Sequence, residues 1–335
     1  MSGTLKQKIT ILGAGALASA VANIVAENGY EVVLYSNEES SISEINAEHS
    51  NGKYVSGKLH SNITATVNVV KALEQAVVIF IILPSKVVAG LLGEIAKLGQ
   101  KNFREKFVIF TKGLDEQSGE FFSDMIPRYF PGSEVAVFSG PNFAEEIFEK
   151  KVTVTTLATK NRKFFDELIQ VMRCDFLTIT YFDDPIAVQL CGLVKNVAAV
   201  ICGIIEGLEM GKNVFSFLIM KTLWEIMSFC KLFHRNENVL LTPAGIGDIV
   251  LTCTSHKSRN FSSGLRIGRG EKVEDIFKNT STTLEGIGNA RSLYNMSTRF
   301  KMEKTIAELL LNIIENSPSR EQLSEAIVEY LTHRV

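Results

Sequence analysis

Five short apolar runs, at residues 9–12, 32–35, 77–83, 107–111 and 135–138, constrain this chain more than any other feature of its 335 residues. None alternates apolar with polar positions, so each suits a strand covered on both faces. The segments between them have the length of crossover helices. Residues 16–28 form one such helix, closed by Gly29, and residues 86–98 form another after the Pro84 break. The pattern predicts a doubly wound, parallel α/β sheet.

After Pro141 the alternation weakens. Residues 152–158 and 176–181 still read as strands around a helix near 162–172, and Asp183, Asp184 and Pro185 punctuate the pattern. From residue 186 nearly every segment reads as helix: 214–231, 261–269, 286–296, 306–315 and 320–331. Residues 186–205 are apolar enough to suggest a membrane span, but Gln189, Lys195 and Asn196 lie near the middle, each costly in hydrocarbon. A buried helix with no integral membrane role is expected. The division predicted is residues 1–184, an α/β domain, followed by 185–335, an all-α domain.

Composition narrows the partners. With 35 basic and 37 acidic side chains the net charge is −2, which argues against a polyelectrolyte surface for nucleic acid or membrane. The five cysteines form no C-x-x-C pair, as expected of a reducing compartment, and residues 1–8 show no targeting signal. No histidine spacing suggests a metal site and no G-x-S-x-G elbow is present, so neither metal nor serine-hydrolase chemistry is expected. The single Trp224, on an apolar helix, reads as core.

The first strand runs into Gly13-Ala14-Gly15-Ala16-Leu17-Ala18, a Gly-x-Gly-x-x-Ala turn that opens a helix. Gly13 permits the tight turn, Gly15 lets a pyrophosphate approach the backbone, and Ala18 is small enough for close helix-to-strand packing. The helix N-terminus then offers free N–H groups to an anion. This turn, in its strand-and-helix setting, makes the first domain Rossmann-like and implies a dinucleotide cofactor. About 20 residues on, where an acid would bond the adenosine ribose, the chain has Tyr35-Ser36-Asn37, with Glu38 and Glu39 beyond. Neither the NAD rule nor the NADP rule is met; Glu38 and Glu39 read as a solvated helix start.

In the second domain Lys195 shares a helix face with Gly192, Asn196, Ala199 and Gly203, a small-residue stripe that leaves room beside the amine. Desolvation lowers a lysine pKa toward neutrality, the requirement for a general base or acid. A structural lysine paired with one carboxylate is an equal reading. Asp248, in Pro243-Ala244-Gly245-Ile246-Gly247-Asp248, would suit such a lysine or serve as a helix cap. Ser258-Arg259-Asn260 collects a hydroxyl, a guanidinium and an amide before a helix start, which fits an anion or an ordinary exposed loop. Lys112 follows the fourth apolar strand, where open sheets bind ligands and where exposed lysines are also common.

Taken together these stretches, with Thr111-Lys112-Gly113-Leu114, Ser139-Gly140-Pro141, Val194-Lys195-Asn196-Val197, Leu251-Thr252-Cys253 and Glu285-Gly286, resemble the prokaryotic-type NAD(P)-dependent glycerol-3-phosphate dehydrogenases. The resemblance implies hydride transfer between NAD or NADP and glycerol 3-phosphate, giving dihydroxyacetone phosphate, in a cytoplasmic homodimer that supplies glycerol 3-phosphate to phospholipid synthesis. It also implies a site between the two domains. Lys195 would accept the C2 hydroxyl proton, with Lys112 and Asp248 as catalytic partners. Lys112, Gly140, Lys195, Asp248, Ser258, Arg259 and Asn260 would contact substrate. Gly13, Gly15, Ala16, Leu17, Asn37, Lys112, Ala144, Arg259 and Glu285 would contact the cofactor. The chain departs from the family at Leu17, where an aromatic is usual, at Ala18, usually Gly, and at Asn142, usually a hydroxyl residue. A related hydroxy-acid dehydrogenase and a non-catalytic nucleotide sensor are the competing expectations.

Overall fold

A computed structural model describes residues 6–98, 106–278 and 285–333. Residues 1–5 of the N-terminal segment read above for targeting lie outside them. The chain forms two compact units, Met1–Thr111 with Phe122–Pro185, and Lys112–Phe121 with Ile186–Val335. The excursion at 112–121 therefore leaves the first unit before the α/β pattern is complete, a division that no composition shift marks.

In the first unit the elements run β1 (Lys6–Leu12), α1 (Ala16–Glu27), β2 (Tyr30–Tyr35), α2 (Glu39–Glu48), β3 (Ile63–Thr66), α3 (Val69–Leu73), β4 (Ala76–Ile81), α4 (Ser85–Lys97) and β5 (Lys106–Ile109). They continue with α5 (Phe122–Tyr129), β6 (Glu134–Ser139), α6 (Ala144–Phe148), β7 (Thr153–Ala158), α7 (Arg162–Val171) and β8 (Leu177–Phe182). The eight strands are ordered β3-β2-β1-β4-β5-β6-β7-β8. The sheet is mainly parallel and Rossmann-like. Both parities of the strands are buried: Ile9, Ile11, Val32, Leu34, Phe80 and Phe138 pack with α1 and α7, while Leu12, Ile79, Ile81, Phe107 and Ile109 are equally hidden. That is why the runs do not alternate. Phe110 stacks on Phe138 with ring centroids 4.5 Å apart.

One pairing reverses, since β7 runs antiparallel to β6 before β8 resumes parallel to β7. A parallel crossover needs a full-length covering element, and the 140–152 connection holds only the five-residue α6. Sequence pattern also leaves out the short β3 and α3, whose few residues carry little periodicity.

The second unit is helical: α8 (Pro185–Gly207), α9 (Lys212–Leu232), a 3₁₀ turn (Glu237–Leu241), a π turn (Pro243–Gly247), α10 (Asp248–Thr254), α11 (Arg259–Gly268), α12 (Val273–Lys278), α13 (Glu285–Arg299), α14 (Ile306–Asn316) and α15 (Arg320–Thr332). Among the described residues α8 is the one helix long and apolar enough to cross a membrane, and its apolar window is wholly buried within the protein. Trp224, expected in the core, is 42% exposed on α9, because that helix buries Leu218, Thr222, Glu225, Ile226 and Phe229 on its opposite side.

The small-residue stripe of α8 has a different use from the one its sequence suggests. A Cβ on Gly203 would lie 2.0 Å from the Phe261 carbonyl oxygen, and one on Gly264 would lie 1.9 Å from that of Val200. Gly203 and Gly207 thus let α11 cross α8 backbone to backbone. At Gly192 the stripe admits a side chain, and the Lys112 stem fills that place, with Cγ 3.5 Å from where a Cβ would be.

Candidate active site

The second unit brings three of the sequence-predicted residues onto one another. Lys195, three turns into the buried α8, is 3% exposed, and its Nζ lies 2.6 Å from Asp248 Oδ1. Lys112 Nζ approaches the other carboxylate oxygen, Oδ2, at 3.0 Å. Asp248 is itself 1% exposed. It opens α10 rather than capping it: Gly247 holds the cap position, and the Asp248 side chain makes no cap bond. The π turn before it is pinned by the Thr242 hydroxyl, which accepts from the Gly245 amide at 3.2 Å. A Cβ on Gly245 would meet the Val239 carbonyl oxygen at 2.3 Å, so only glycine lets the chain deliver Asp248 here.

Thr252, one turn along α10, completes the cluster. Its Oγ1 accepts from Lys195 Nζ at 3.0 Å and donates to Asp248 Oδ1 at 3.2 Å. No role for Thr252 follows from the sequence, although its spacing of four from Asp248 puts both on one helix face.

Electrostatics divides the two amines. Burial pushes the Lys195 pKa down, the neighbouring Lys112 ammonium pushes the same way, and the Asp248 carboxylate only partly offsets them, leaving it at about 7. For Lys112 burial is likewise the largest single effect, but Asp248 and its other partners outweigh it and raise the pKa. Desolvation of Asp248 is overcome by the two ammonium groups, so its carboxyl stays below its usual range. One carboxylate therefore serves two amines, and Lys195 is the one that can give or take a proton near neutrality.

A second network adjoins Lys195. Asn196 Nδ2 donates to Glu285 Oε2 at 3.2 Å, and Asn260 Oδ1 accepts from the Gly286 amide at 3.1 Å, which ties α8 and α11 to the start of α13. The triplet at 258–260 does not converge as three free ligands. Ser258 caps α11, accepting from the Phe261 amide, Asn260 turns inward, and Arg259 stands exposed at the first position of the helix.

The first unit holds the other predicted positions. Gly13 has φ +123°, a Cβ there would lie 2.2 Å from the Ile82 carbonyl oxygen, and its amide donates to the Tyr35 carbonyl at 2.9 Å. Gly15 heads α1 with no side-chain cap, and a Cβ on it would meet nothing within 4 Å. This open cradle at an uncapped helix N-terminus, free of acidic side chains in its first turn, fits a dinucleotide pyrophosphate. It lies where the strand order reverses between β1 and β4, as ligand crevices of open sheets do. Ala18 is fully buried, as close packing requires, Ala16 and Leu17 are half-buried, and Asn37 is exposed beyond β2. Gly140, at φ +158° after β6, is pressed against Thr155, 2.9 Å from its Cα to a built Cβ, so packing alone demands a glycine there. Ala144 opens α6. Among the described residues no group of His, Cys, Asp and Glu is placed to hold a metal.

A sheet whose first turn fits a dinucleotide pyrophosphate, in one chain with a helical unit that carries a buried amine with its pKa lowered to about 7, defines a nicotinamide-dependent dehydrogenase of the two-unit type. The family profile for the N-terminus of NAD-dependent glycerol-3-phosphate dehydrogenase matches residues 8–165, and that for the C-terminus matches residues 184–325. The chain is 31% identical to the glycerol-3-phosphate dehydrogenase [NAD(P)+] of Staphylococcus aureus over 96% of its own length and 98% of that protein's. To the enzyme of the same name from Enterococcus faecalis it is 29% identical, covering 97% and 96% of the two chains. Its fold superposes on the crystal structure of glycerol-3-phosphate dehydrogenase from Coxiella burnetii with a TM-score of 0.91, at 28% identity and 98% and 99% coverage. The chain belongs to the NAD-dependent glycerol-3-phosphate dehydrogenase family.

Proposed function

We propose that this chain interconverts sn-glycerol 3-phosphate and dihydroxyacetone phosphate with NAD or NADP, supplying glycerol 3-phosphate for phospholipid synthesis. The observation that carries the reading is the amine of Lys195, buried against Asp248 and Thr252 and titrating at about 7. The dinucleotide, when bound, supplies the acceptor for the hydride from C2.

In oxidation the neutral Lys195 amine takes the C2 hydroxyl proton, and Asp248 stabilises the ammonium that forms. Thr252 holds the amine in line by accepting one of its hydrogens. Lys112, with its raised pKa, stays an ammonium and stabilises negative charge at the C2 oxygen. Arg259, exposed at the head of α11, offers its guanidinium to the substrate phosphate, and the helix start adds amide donors. Gly13, Gly15, Ala16 and Leu17 line the phosphate cradle, with Asn37, Ala144 and Glu285 as further cofactor contacts and Gly140 as a substrate contact. Leu17 offers no aromatic ring to stack on the cofactor. The family's homodimer and a cytoplasmic location complete the proposal. Five free cysteines, four of them buried, suit a reducing compartment.

The test is dihydroxyacetone phosphate reduction followed by cofactor absorbance, with NADH and NADPH side by side. Glycerate-type acids lacking the phosphate should be poor substrates; equal rates on both would sink the assignment. Lys195→Met should abolish turnover while NADH still binds, and retained turnover would remove Lys195 from the chemistry.

A further inference from the structure

Beyond the end of β2 stand one acid, Glu38, and a loop that is tied to the glycine turn. Glu38 stands three residues beyond β2, whose last carbonyl, that of Tyr35, accepts from the Gly13 amide. It is the cap residue of α2, yet its carboxylate makes no bond to that helix's first turn of amides. Instead it reaches the loop after α2, where Lys53 Nζ pairs with Oε1 and the Tyr54 hydroxyl donates to Oε2 at 2.8 Å. The Lys53 ammonium also lies 5.2 Å from the Tyr54 ring centroid. The pairing, Lys53 first and Tyr54 second, holds the Glu38 carboxyl below its ordinary range.

The loop is not loose. Asn51, fully buried, donates to the Ala14 carbonyl at 2.8 Å and to the Ser19 hydroxyl at 2.9 Å, so it is bolted to the phosphate turn and to α1. Glu44 of α2 accepts from the Gly52 amide at 2.7 Å and from the Ser50 hydroxyl at 2.9 Å. Lys53 and Tyr54 are thereby tied to the turn, and they hold the Glu38 carboxylate three residues beyond the end of β2, the strand after which an acid reads an adenosine ribose in dinucleotide folds.

We propose that Glu38, held by Lys53 and Tyr54, makes this chain select the dinucleotide with a free adenosine 2′-hydroxyl over its 2′-phosphorylated counterpart. A hydroxyl donates to the carboxylate without any charge conflict. A 2′-phosphate carries about two negative charges, meets the carboxylate, and finds the Lys53 ammonium already neutralised. Lys53 is at the same time a latent phosphate ligand, released when Glu38 loses its charge. This inference rests on the dinucleotide reading of the first unit.

Calorimetric titration of the full-length chain with NADH, NADPH and adenosine 2′,5′-bisphosphate tests it without turnover. The unaltered chain should bind NADH roughly tenfold or more tighter than NADPH. Glu38→Gln should narrow that ratio by about tenfold, weakening NADH and strengthening both NADPH and the bisphosphate. Adding Lys53→Met to Glu38→Gln should erase the gain for the two 2′-phosphates. Equal affinity of the unaltered chain for NADH and NADPH, or a ratio that Glu38→Gln does not move, overturns the inference and leaves the dehydrogenase reading standing. Binding of neither dinucleotide overturns both.

Discussion

At the scale of single residues, burial, the Asp248 carboxylate and the neighbouring Lys112 ammonium set when Lys195 can act. Because the folded-state pKa is lowered from 10.5 to about 7, the amine is neutral above that pH and protonated below it. Glycerol 3-phosphate oxidation, which needs the neutral amine, should therefore rise with pH through about 7, and dihydroxyacetone phosphate reduction, which needs the ammonium, should fall over the same range. Thr252 accepts a hydrogen bond that favours the charged form. Thr252→Val should accordingly move the midpoint of the kcat profile to lower pH and slow turnover by about tenfold. A midpoint that stays put would make Thr252 a packing residue only. Lys195 and Asp248 were both legible as a partnership because a lysine in an apolar helix and an acid among glycines each require a counterion. Thr252 was not, because a threonine inside a helix most often returns its hydroxyl to its own backbone, and only the position of Lys195 turns it elsewhere.

At the scale of elements, the glycines separate packing from binding. Gly15 has open space where a side chain would start, whereas Gly264 has the Val200 carbonyl oxygen at 1.9 Å. Gly15→Ala should leave the melting temperature within a degree or two and weaken NADH binding, since the added methyl enters the phosphate cradle. Gly264→Ala should instead cost roughly 3 kcal/mol, read as a fall in thermal midpoint or as insoluble expression, because two helix backbones would be forced apart. The α8 stripe was visible in the sequence, but its meaning was not. Periodicity says that Gly192, Ala199 and Gly203 share a face; it does not say whether a ligand, a lysine stem or another helix fills the groove. The reversal of β7 belongs to the same scale, where a short connection overrules a strand pattern that is blind to direction.

At the scale of the molecule, the helical unit is closed by one turn of α9. Glu225 Oε2 accepts from the Ile306 amide at the start of α14 at 3.0 Å and from the Tyr330 hydroxyl of α15 at 3.1 Å, while Oε1 has no hydrogen-bond partner among the described residues. One turn earlier Lys221 donates to the carbonyls that end α15, among them His333 at 2.7 Å. Burial raises the Glu225 pKa from 4.5 to about 7, although its hydrogen bonds and Lys221 oppose the shift. A folded-state pKa above the unfolded value contributes stability that is complete below about 4.5 and is lost as pH rises through about 7. Stability measured by denaturant titration should thus show, between pH 5 and 7, a decline of up to about 3 kcal/mol that Glu225→Gln removes. Identical pH slopes for the two chains would show that Glu225 is ionised throughout.

Order along the chain determined a good deal here. The covered strands, the glycine turn, the helical second half and the need of Lys195 for a carboxylate are consequences of local periodicity and of the cost of burying charge, and both can be read one residue at a time. Direction, company and exposure were decided only in three dimensions. Lys112 joins the helical unit's cluster from across 136 positions of sequence, Trp224 faces water on a helix of core-like composition, and Glu38 pairs with Lys53 in a loop beyond its own helix. Each depends on which surfaces meet, and a linear pattern carries the demand for a partner without naming which partner will come.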